Sequence, residues 1–235
     1  MSNWIDFYDL RHSLIYVNAR HRDVHYRTIA AGIRDYIPSP TATVIDWGCG
    51  EATSAATIAD AAGHLTMVEA APNVRGALNA RYGANKKISV LTPDEAAALP
   101  EHSADLIILH SVAQYLTRQE LDGMLATFHR LLKPGALLIV GDIVPPGLAA
   151  PKAALSLLKF AARNGFLFAA IRGLIRIALS DYLKLNKKVG LTHYSEADML
   201  AILRSHGFVA ARAEENIGHN QWRMTFLARP ASTGR

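Results

Sequence analysis

The stretch VIDWGCGEA, residues 44–52, decides the fold. It overlaps the apolar run ATVID, residues 42–46, which predicts a short buried strand, and it places Gly48 and Gly50 directly after that strand. Glycine lets the backbone turn tightly and approach a ligand with no Cβ in the way. The alanine-rich residues 53–62 then predict a helix, whose first N–H groups have no partner within the helix. We therefore expect a strand, a tight turn and a helix that together form a nucleotide site.

The same alternation of strand and helix continues along the chain. Further strands are predicted at residues 65–70, 87–92, 104–111, 134–142 and 220–230, and further helices at residues 72–82, 117–133 and 195–208. Apolar strands separated by helices are typical of a parallel sheet that is covered on both faces. In such a doubly wound α/β fold, ligands bind beyond the carboxyl ends of the strands, where the strand order reverses. The glycine turn lies at such an end.

Composition and charge narrow the class of protein. Half of the 235 residues are apolar, which is enough for a substantial core, and a single cysteine excludes an internal disulfide. The sequence shows neither a signal peptide nor a run of about 18 uncharged apolar residues, so we expect a cytoplasmic protein without a transmembrane helix. The net charge of +5 is mild but unevenly distributed.

The residues of the turn favour a ligand without phosphate. A dinucleotide-binding turn has the pattern G-x-G-x-x-G, but Thr53 stands at the third glycine, and the G-K-[ST] of a phosphate-binding loop is absent. Glu51 also places a negative charge where a pyrophosphate would lie, which disfavours a nicotinamide-dependent oxidoreductase. A ligand with a cationic amino group and a sulfonium fits better, because Asp46 would then face positive charge.

Asp46, Gly48 and Gly50 match the first motif, D-x-G-x-G-x-G, of the class I S-adenosylmethionine (SAM)-dependent methyltransferases, with Ala52 in place of the third glycine. Four later segments resemble the same family in the same order: VEAAP, TPDEAAALP, LLKPGALLIVGD and HYSEADMLAILRSHGF. The resemblance covers residues 40–143 and 192–229. It implies a Rossmann-like methyltransferase fold, a doubly wound and mostly parallel seven-stranded sheet with an antiparallel last strand. It also implies SAM as the cofactor and S-adenosylhomocysteine (SAH) as the product.

The resemblance also assigns cofactor contacts. Glu69 stands where the acid of the family binds both ribose hydroxyls, because a carboxylate accepts two hydrogen bonds at once. Asp94 or Glu95 would lie near the adenine amino group, and Arg20 is placed to pair with the carboxylate of the cofactor. Cys49 stands inside the turn, where the family does no chemistry with it. The cofactor-binding residues expected are Asp46, Gly48, Cys49, Gly50, Glu69, Ala70, Asp94, Glu95, His110, Ser111 and Arg20.

Acceptor residues are predicted in the segments that flank the core. The helical cap, residues 1–37, carries tyrosines and histidines at helical spacing, which form either one wall of the acceptor site or a solvated face of a helix packed on the sheet. Polar residues close to the last strand line the acceptor pocket or form an ordinary turn. The substrate candidates are Tyr8, His12, Tyr16, Tyr194, His219 and Asn220.

Histidines are the candidate bases, because an oxygen acceptor must lose its proton. The two catalytic candidates are His193, at the end of the insertion that follows the fifth strand, and His110, at the end of the fourth strand. For each, the alternative is a hydrogen-bonded structural histidine. His21 and His25 have a metal-ligand spacing, but Arg22 stands where the helix of a zinc protease carries its acid. We therefore predict no metal.

The insertion after the fifth strand, residues 144–192, is the most basic part of the chain. Between Lys152 and Lys188 it holds eight lysines and arginines and one acid, Asp181, in two predicted helices that break near Gly165. Three interpretations remain open. The helices form a lid over a hydrophobic acceptor, or they rest on an anionic membrane, or they form a dimer interface or a cover for the core. Interleaved leucines and isoleucines, with few aromatic residues, disfavour nucleic acid.

These observations predict a single methyltransferase domain over residues 1–235. Its parts are the cap (1–37), the cofactor-binding core (38–143), the lid insertion (144–192) and a C-terminal helix with strands (193–235). We expect methyl transfer from SAM to a small hydrophobic or amphipathic acceptor, by a cytoplasmic or membrane-peripheral monomer or homodimer. The alternatives are a lipid methyltransferase that contacts an anionic membrane through residues 152–188, and a SAM-binding sensor or partner subunit without transfer activity.

Overall fold

A computed structural model describes residues 5, 9, 16–179 and 192–231. Its strands are β1 (Thr43–Trp47), β2 (His64–Val68), β3 (Ile88–Leu91), β4 (Ala104–His110), β5 (Leu132–Ile143), β6 (Phe208–Arg212) and β7 (Met224–Pro230). Its helices are α1 (Ala19–Arg34), α2 (Ala55–Ala61), α3 (Pro72–Tyr82), α4 (Pro93–Ala97), α5 (Arg118–Leu131), α6 (Ala150–Asn164), α7 (Leu167–Leu179) and α8 (Glu196–Ser205). A short 3-10 helix, Ala113–Tyr115, follows β4.

The seven strands form one sheet in the order β3-β2-β1-β4-β5-β7-β6. Strands β1 to β5 are parallel, whereas β7 runs antiparallel to both of its neighbours, β5 and β6. This confirms the predicted doubly wound, mostly parallel sheet with an antiparallel last strand. The chain leaves β1 toward β2 and β3 on one side and returns to β4 on the other, so the strand order reverses between β1 and β4. A ligand site is expected at the carboxyl ends of these two strands.

Helices cover both faces of the sheet and bury two apolar clusters. On one face, Phe128 of α5 packs edge-on against Trp47 of β1, with ring centroids 5.0 Å apart. On the other face, Ile33 of α1 joins Val44 and Leu65 of the first two strands. Reciprocal capping boxes start three of the helices and satisfy N–H groups that their first turns leave free. They pair Thr92 with Glu95, Thr117 with Glu120, and Ser195 with Asp198.

The insertion contains the two helices that the sequence predicts, α6 and α7. They separate at Gly165, whose positive φ of 73° favours glycine. A small cluster of Ala161, Phe166 and Ala170 holds the two helices together. In the part of the chain that the structure describes, no helix combines the length and the apolar character needed to cross a membrane.

The last strand begins later than predicted, at Met224 instead of residue 220. The difference arises because side-chain hydrogen bonds to the backbone replace the backbone hydrogen bonds of the sheet in this segment. The backbone N–H of Asn216 donates to Oε1 of Gln221 at 2.9 Å, and Nε2 of Gln221 donates to the Asn216 carbonyl at 3.0 Å. Residues 216–223 therefore form a polar loop at the edge of the sheet where β4 and β5 end.

Candidate active site

The glycine turn closes tightly against the end of β2. The N–H of Gly48 donates to the Val68 carbonyl at 2.8 Å, and both Gly48 and Gly50 have positive φ, 75° and 61°. A Cβ on Gly48 would lie 2.5 Å from Cγ2 of Val112, so no larger residue fits at this position without a shift. The turn thereby brings bare backbone to the edge of the sheet.

Glu69 follows β2 and is anchored from two sides. Its Oε2 accepts from the Gly50 N–H at 2.9 Å, and its Oε1 accepts from the Ala71 N–H at 2.8 Å. The residue is 3% exposed, and its burial raises the pKa of the carboxyl although these N–H groups oppose the rise. Each oxygen keeps a second lone pair, so the carboxylate can still accept hydrogen bonds from a ligand.

Asp46, the fourth residue of β1, lies beside Glu69 at the same edge of the sheet. Burial, with a smaller contribution from the charge of Glu69, raises the pKa of Asp46 to about 7. Two neighbouring buried carboxylates create a region of negative potential that a cationic ligand stabilises. The chemistry of this pair therefore fits the ammonium and sulfonium groups expected from the sequence.

A single cavity of about 730 Å³ connects the turn with the insertion. At one end it is lined by Asp46, Gly48, Glu69, Asp94 and Ser111. The other end is lined by Tyr16, which precedes α1, and by residues of α1, α6 and the polar loop, among them His25, Leu157, His219 and Arg223. This volume lies within the range of sites for small organic ligands, which is about 300–1,000 Å³.

Histidines and aromatic rings form the second end of the cavity. His219 stacks on Phe160 with centroids 4.5 Å apart, and His25 meets His219 edge-on at 6.1 Å. Burial lowers the pKa of His25 to about 3 and that of His21 to about 4. Burial also lowers the pKa of His219, although the nearby Asp142 carboxylate opposes that fall. These rings are therefore neutral near pH 7.

Asp142 ties the ends of β4, β5 and the polar loop together. It accepts from Oγ of Ser111 at 2.7 Å and from Nδ2 of Asn216 at 3.2 Å, and it forms an ion pair with Arg223. Burial would raise its pKa, but the Arg223 charge and these hydrogen bonds hold the pKa of Asp142 below its ordinary value. Ser111 and Asp142 both have left-handed φ, 60° and 63°, a strain that proteins concentrate at functional sites.

Comparison with known proteins agrees with this geometry. Residues 45–140 match the family model described as a methyltransferase domain, a range that contains the glycine turn and the ends of β2 and β4. The core of the chain is a methyltransferase domain, in agreement with the SAM-dependent family that its sequence resembles. No curated protein has a sequence that matches it significantly.

Solved structures show the same fold in other methyltransferases. Magnesium protoporphyrin IX methyltransferase from Synechocystis PCC 6803, solved with bound SAH, has a TM-score of 0.62 and 18% identity over 96% of this chain and 97% of its own. A SAM-dependent methyltransferase from Methanosarcina mazei has a TM-score of 0.55 and 13% identity over 85% of this chain and 96% of its own. At such low identities the likeness concerns the fold alone.

Most of the site residues predicted for this methyltransferase line the cavity. The residues that do so are Asp46, Gly48, Cys49, Glu69, Ala70, Asp94, His110, Ser111, Tyr16, His219 and Asn220. Gly50 contributes its backbone N–H to Glu69. Tyr8 and His12 lie outside the described residues.

Three predicted residues are engaged away from the cavity. Nε of Arg20 donates to the Asn164 carbonyl and connects α1 to the end of α6, and Arg20 does not line the cavity. Glu95 caps α4, where its Oε2 accepts from the Thr92 N–H at 2.8 Å. Tyr194 is buried in the core cluster on the α5 face of the sheet.

The two predicted base candidates differ in position. His193 is exposed, because neighbouring residues of an extended segment face opposite sides and Tyr194 next to it faces inward. His110 lines the cavity, but its Nε2 is 2.7 Å from the Ile217 carbonyl and its Nδ1 is 3.1 Å from Oγ of Ser111. Both ring nitrogens of His110 are therefore engaged by other groups of the protein.

The sequence did not reveal two other residues of this methyltransferase site, His25 and Arg223. His25 was considered only for its spacing from His21, and Arg223 only as part of a strand. The available signal was the polarity of residues 217–224, which is unusual for a segment next to a buried strand. Arg223 becomes a site residue through Asp142, which lies 81 positions earlier.

Proposed function

We propose that this methyltransferase transfers the methyl group of SAM to a small hydrophobic or amphipathic acceptor held beneath helix α6 of the insertion. The observation that carries this proposal is the continuous cavity. It joins the carboxylates Asp46 and Glu69 to an end lined by Leu157 and Tyr16, so a cofactor and an acceptor can meet within one continuous space. Burial raises the pKa of Tyr16 to about 12, which keeps its phenol neutral and the acceptor end free of a phenolate charge.

The residues at the first end fit SAM. Glu69 would accept hydrogen bonds from the ribose hydroxyls, Asp46 would face the cationic groups, and Asp94 would lie toward the adenine. The glycine turn admits the amino-acid end of the cofactor because no Cβ blocks the approach. SAM brings a methyl group on a sulfonium, which is already an activated leaving group.

The protein therefore contributes positioning, exclusion of water and proton transfer. We propose that His219 is the base for a hydroxyl acceptor. Among the described residues, no protein group forms a hydrogen bond with the ring nitrogens of His219, so a lone pair is available at the cavity. The acceptor proton would pass to His219, the acceptor oxygen would bond the methyl carbon, and the electrons of the broken C–S bond would remain on sulfur as SAH. Asp142 would stabilise the resulting imidazolium by its charge.

We propose that the acceptor is a small molecule and not a nucleic acid. We also propose that the enzyme works in the cytoplasm, as a monomer or a homodimer. The observations that support a small molecule are that the basic residues of α6 and α7 alternate with apolar ones and that α6 lines the cavity with Ala153 and Leu157.

The test uses SAM labelled on its methyl group. The protein is incubated with total cell extract, and the label is partitioned between organic and aqueous phases. Label in the organic phase supports the proposal, and its loss in an Asp46→Asn variant shows that the site described above is responsible. Label only in the aqueous phase overturns the hydrophobic acceptor. SAM binding measured by calorimetry, without label in either phase, favours the alternative of a SAM-binding protein without transfer activity.

A further inference from the structure

The outward face of α7 is apolar and cationic. Phe168, Ile171 and Ile175 are 85%, 40% and 53% exposed, and they recur at helical spacing on one side of the helix. Arg172 and Arg176 are exposed along the edge of the same face. A surface helix of a globular protein normally turns its apolar stripe inward, so this arrangement needs an explanation.

Packing fixes α7 in this orientation. Its opposite side carries Ala170, which is fully buried with Phe166, and Gly173. A Cβ on Gly173 would lie 2.6 Å from Cγ1 of Val17, so the helix approaches the segment before α1 closely at this point. Rotation that buries Phe168 would bring large side chains into a contact made for small ones. The outward apolar face is therefore a consequence of the fold.

The neighbouring helix α6 has an exposed side of the same character. Leu155 is 49% exposed, and Lys152, Lys159 and Arg163 are exposed on the same side at helical spacing. Nζ of Lys152 lies 4.4 Å from the ring centroid of Trp222, which is itself 49% exposed in the polar loop. We call the exposed sides of these two helices together the α6–α7 face.

The charge of the chain is concentrated in these two helices. Residues 150–179 contain five lysines and arginines and no acid, while the other 20 basic residues of the chain balance its 20 acidic residues. The net charge of +5 is therefore that of the α6–α7 face. A positive surface with protruding apolar side chains is complementary to anionic head groups above a hydrocarbon layer.

We propose that the α6–α7 face docks on an anionic phospholipid membrane. Phe168, Ile171 and Ile175 would enter the head-group region, and the lysines and arginines would bind phosphates and carboxylates of the lipids. A second copy of the chain is a poorer occupant, because a symmetric contact would oppose five cations to five with no acid between them. Nucleic acid is also a poorer occupant, because it has no apolar layer in which the protruding aliphatic side chains could be buried.

The proposal extends the proposed function to the source of the acceptor. Ala153 and Leu157 line the cavity from the inner side of α6, while Leu155 and Lys159 lie on its outer side. One helix thus separates the cavity from the proposed membrane, and an amphipathic acceptor would reach the site from the bilayer. The docking itself needs no SAM and no turnover, so it is testable independently of methyl transfer.

The experiment is sedimentation of the full chain with vesicles, without SAM. Vesicles of phosphatidylserine and phosphatidylcholine in equal amounts should bind the protein at low salt, and vesicles of phosphatidylcholine alone should bind it weakly. Replacing two arginines, Arg172→Gln with Arg176→Gln, should lower the partition coefficient about thirtyfold, since each cation near an anionic surface contributes about 1 kcal/mol. Phe168→Ser with Ile175→Ser should weaken binding in a way that low salt does not restore.

The matched control removes the same charge elsewhere. Arg34→Gln with Lys86→Gln changes two exposed cations that lie outside the α6–α7 face. This control should bind anionic vesicles as the unchanged protein does. Three results would overturn the proposal: no sedimentation with anionic vesicles at low salt, an equal loss in the control and in the arginine variant, or a dimer in analytical ultracentrifugation that Phe168→Ser dissociates. Circular dichroism confirms that each variant is folded.

Discussion

Oε2 of Glu69 accepts a hydrogen bond of 2.9 Å from the backbone N–H of Gly50, so the residue that follows β2 holds the glycine turn that follows β1. The proposed ribose ligand is therefore also a structural support for the turn. This double role explains how two segments of the sheet edge keep a fixed separation. It also means that changes at Glu69 act on the cofactor end of the cavity as a whole.

Replacing Glu69 with glutamine should weaken SAM binding by about tenfold or more, because charge-assisted hydrogen bonds to the ribose are lost. The amide NH₂ would also oppose one of the backbone N–H groups, of Gly50 or Ala71, that now donate to the carboxylate. Isothermal titration calorimetry measures the affinity. The control Glu101→Gln removes an exposed acid outside the cavity and should leave the affinity unchanged. Equal affinities for both variants would refute the ribose assignment.

Replacing Asp142 with asparagine should destabilise the fold by about 3 kcal/mol, because it leaves the partly buried Arg223 without its charge partner. Nε of Arg223 already lacks a hydrogen-bond partner among the described residues, so little can compensate. Urea unfolding measures the difference. In the double variant Asp142→Asn with Arg223→Gln, part of the stability should return. A single variant as stable as the unchanged protein would show that the pair makes no net contribution.

The pH dependence at Asp142 has a defined sign. Its pKa in the folded protein is lower than the ordinary value of 3.8, so its stabilising contribution is present above pH 3.8 and is lost as the pH falls further through the folded pKa. The Asp142→Asn variant lacks this titration. The stability difference between the two proteins should therefore shrink below pH 3.8, and a difference that stays constant there would contradict the assignment.

His25 and His21 should make the protein less stable as the pH falls below 6.5. Their folded pKa values of about 3 and about 4 lie below 6.5, so the unfolded chain binds protons that the folded protein excludes. Between pH 6.5 and its own folded pKa, each histidine lowers the free energy of unfolding by about 1.4 kcal/mol for each pH unit that the pH falls. Unfolding measured from pH 6.5 to pH 4 should show a shallower slope for His25→Gln. An unchanged slope would mean that His25 does not titrate as its burial requires.

His219→Asn should lower kcat on the acceptor by about a hundredfold to ten-thousandfold, the usual contribution of a positioned base. Because burial lowers its pKa from 6.5, the unchanged enzyme should lose kcat/KM only at pH values below 6.5, as His219 becomes protonated. The variant should lack this acidic limb, which a purely structural role would not remove. His193→Asn, at an exposed position, is the matched control and should retain full activity. Loss in the control alone would restore His193 as the base.

The sequence predicted the features that depend on local pattern. Gly48, Gly50 and Glu69 were found because the turn chemistry and the strand ends repeat a short motif with fixed spacing. The strands were found because continuous apolar runs of that length need burial on both faces. These properties belong to segments of a few residues, so they can be read before the chain is folded.

The sequence could not reveal contacts between distant segments. The resemblance placed Arg20 beside a cofactor carboxylate, but Nε of Arg20 donates to the carbonyl of Asn164, which is 144 positions away. His193 was predicted near a substrate, but the direction of a side chain in an extended segment depends on which neighbour is buried. The ion pair of Asp142 and Arg223 and the stacking of His219 on Phe160 likewise depend on how the insertion and the polar loop meet. No local pattern encodes such a meeting.

The position of β7 between β5 and β6 has a consequence for synthesis of the protein. A chain emerging from the ribosome can pair β1 to β5 early, but β6 has no neighbour until β7 has arrived between it and β5. His219 and Arg223 directly precede β7, so a nascent chain stopped before residue 219 would hold the cofactor-binding residues while lacking both His219 and the counter-ion of Asp142. Translation therefore completes the cofactor half before the acceptor half, and the enzyme is expected to remain silent until its last strand is inserted.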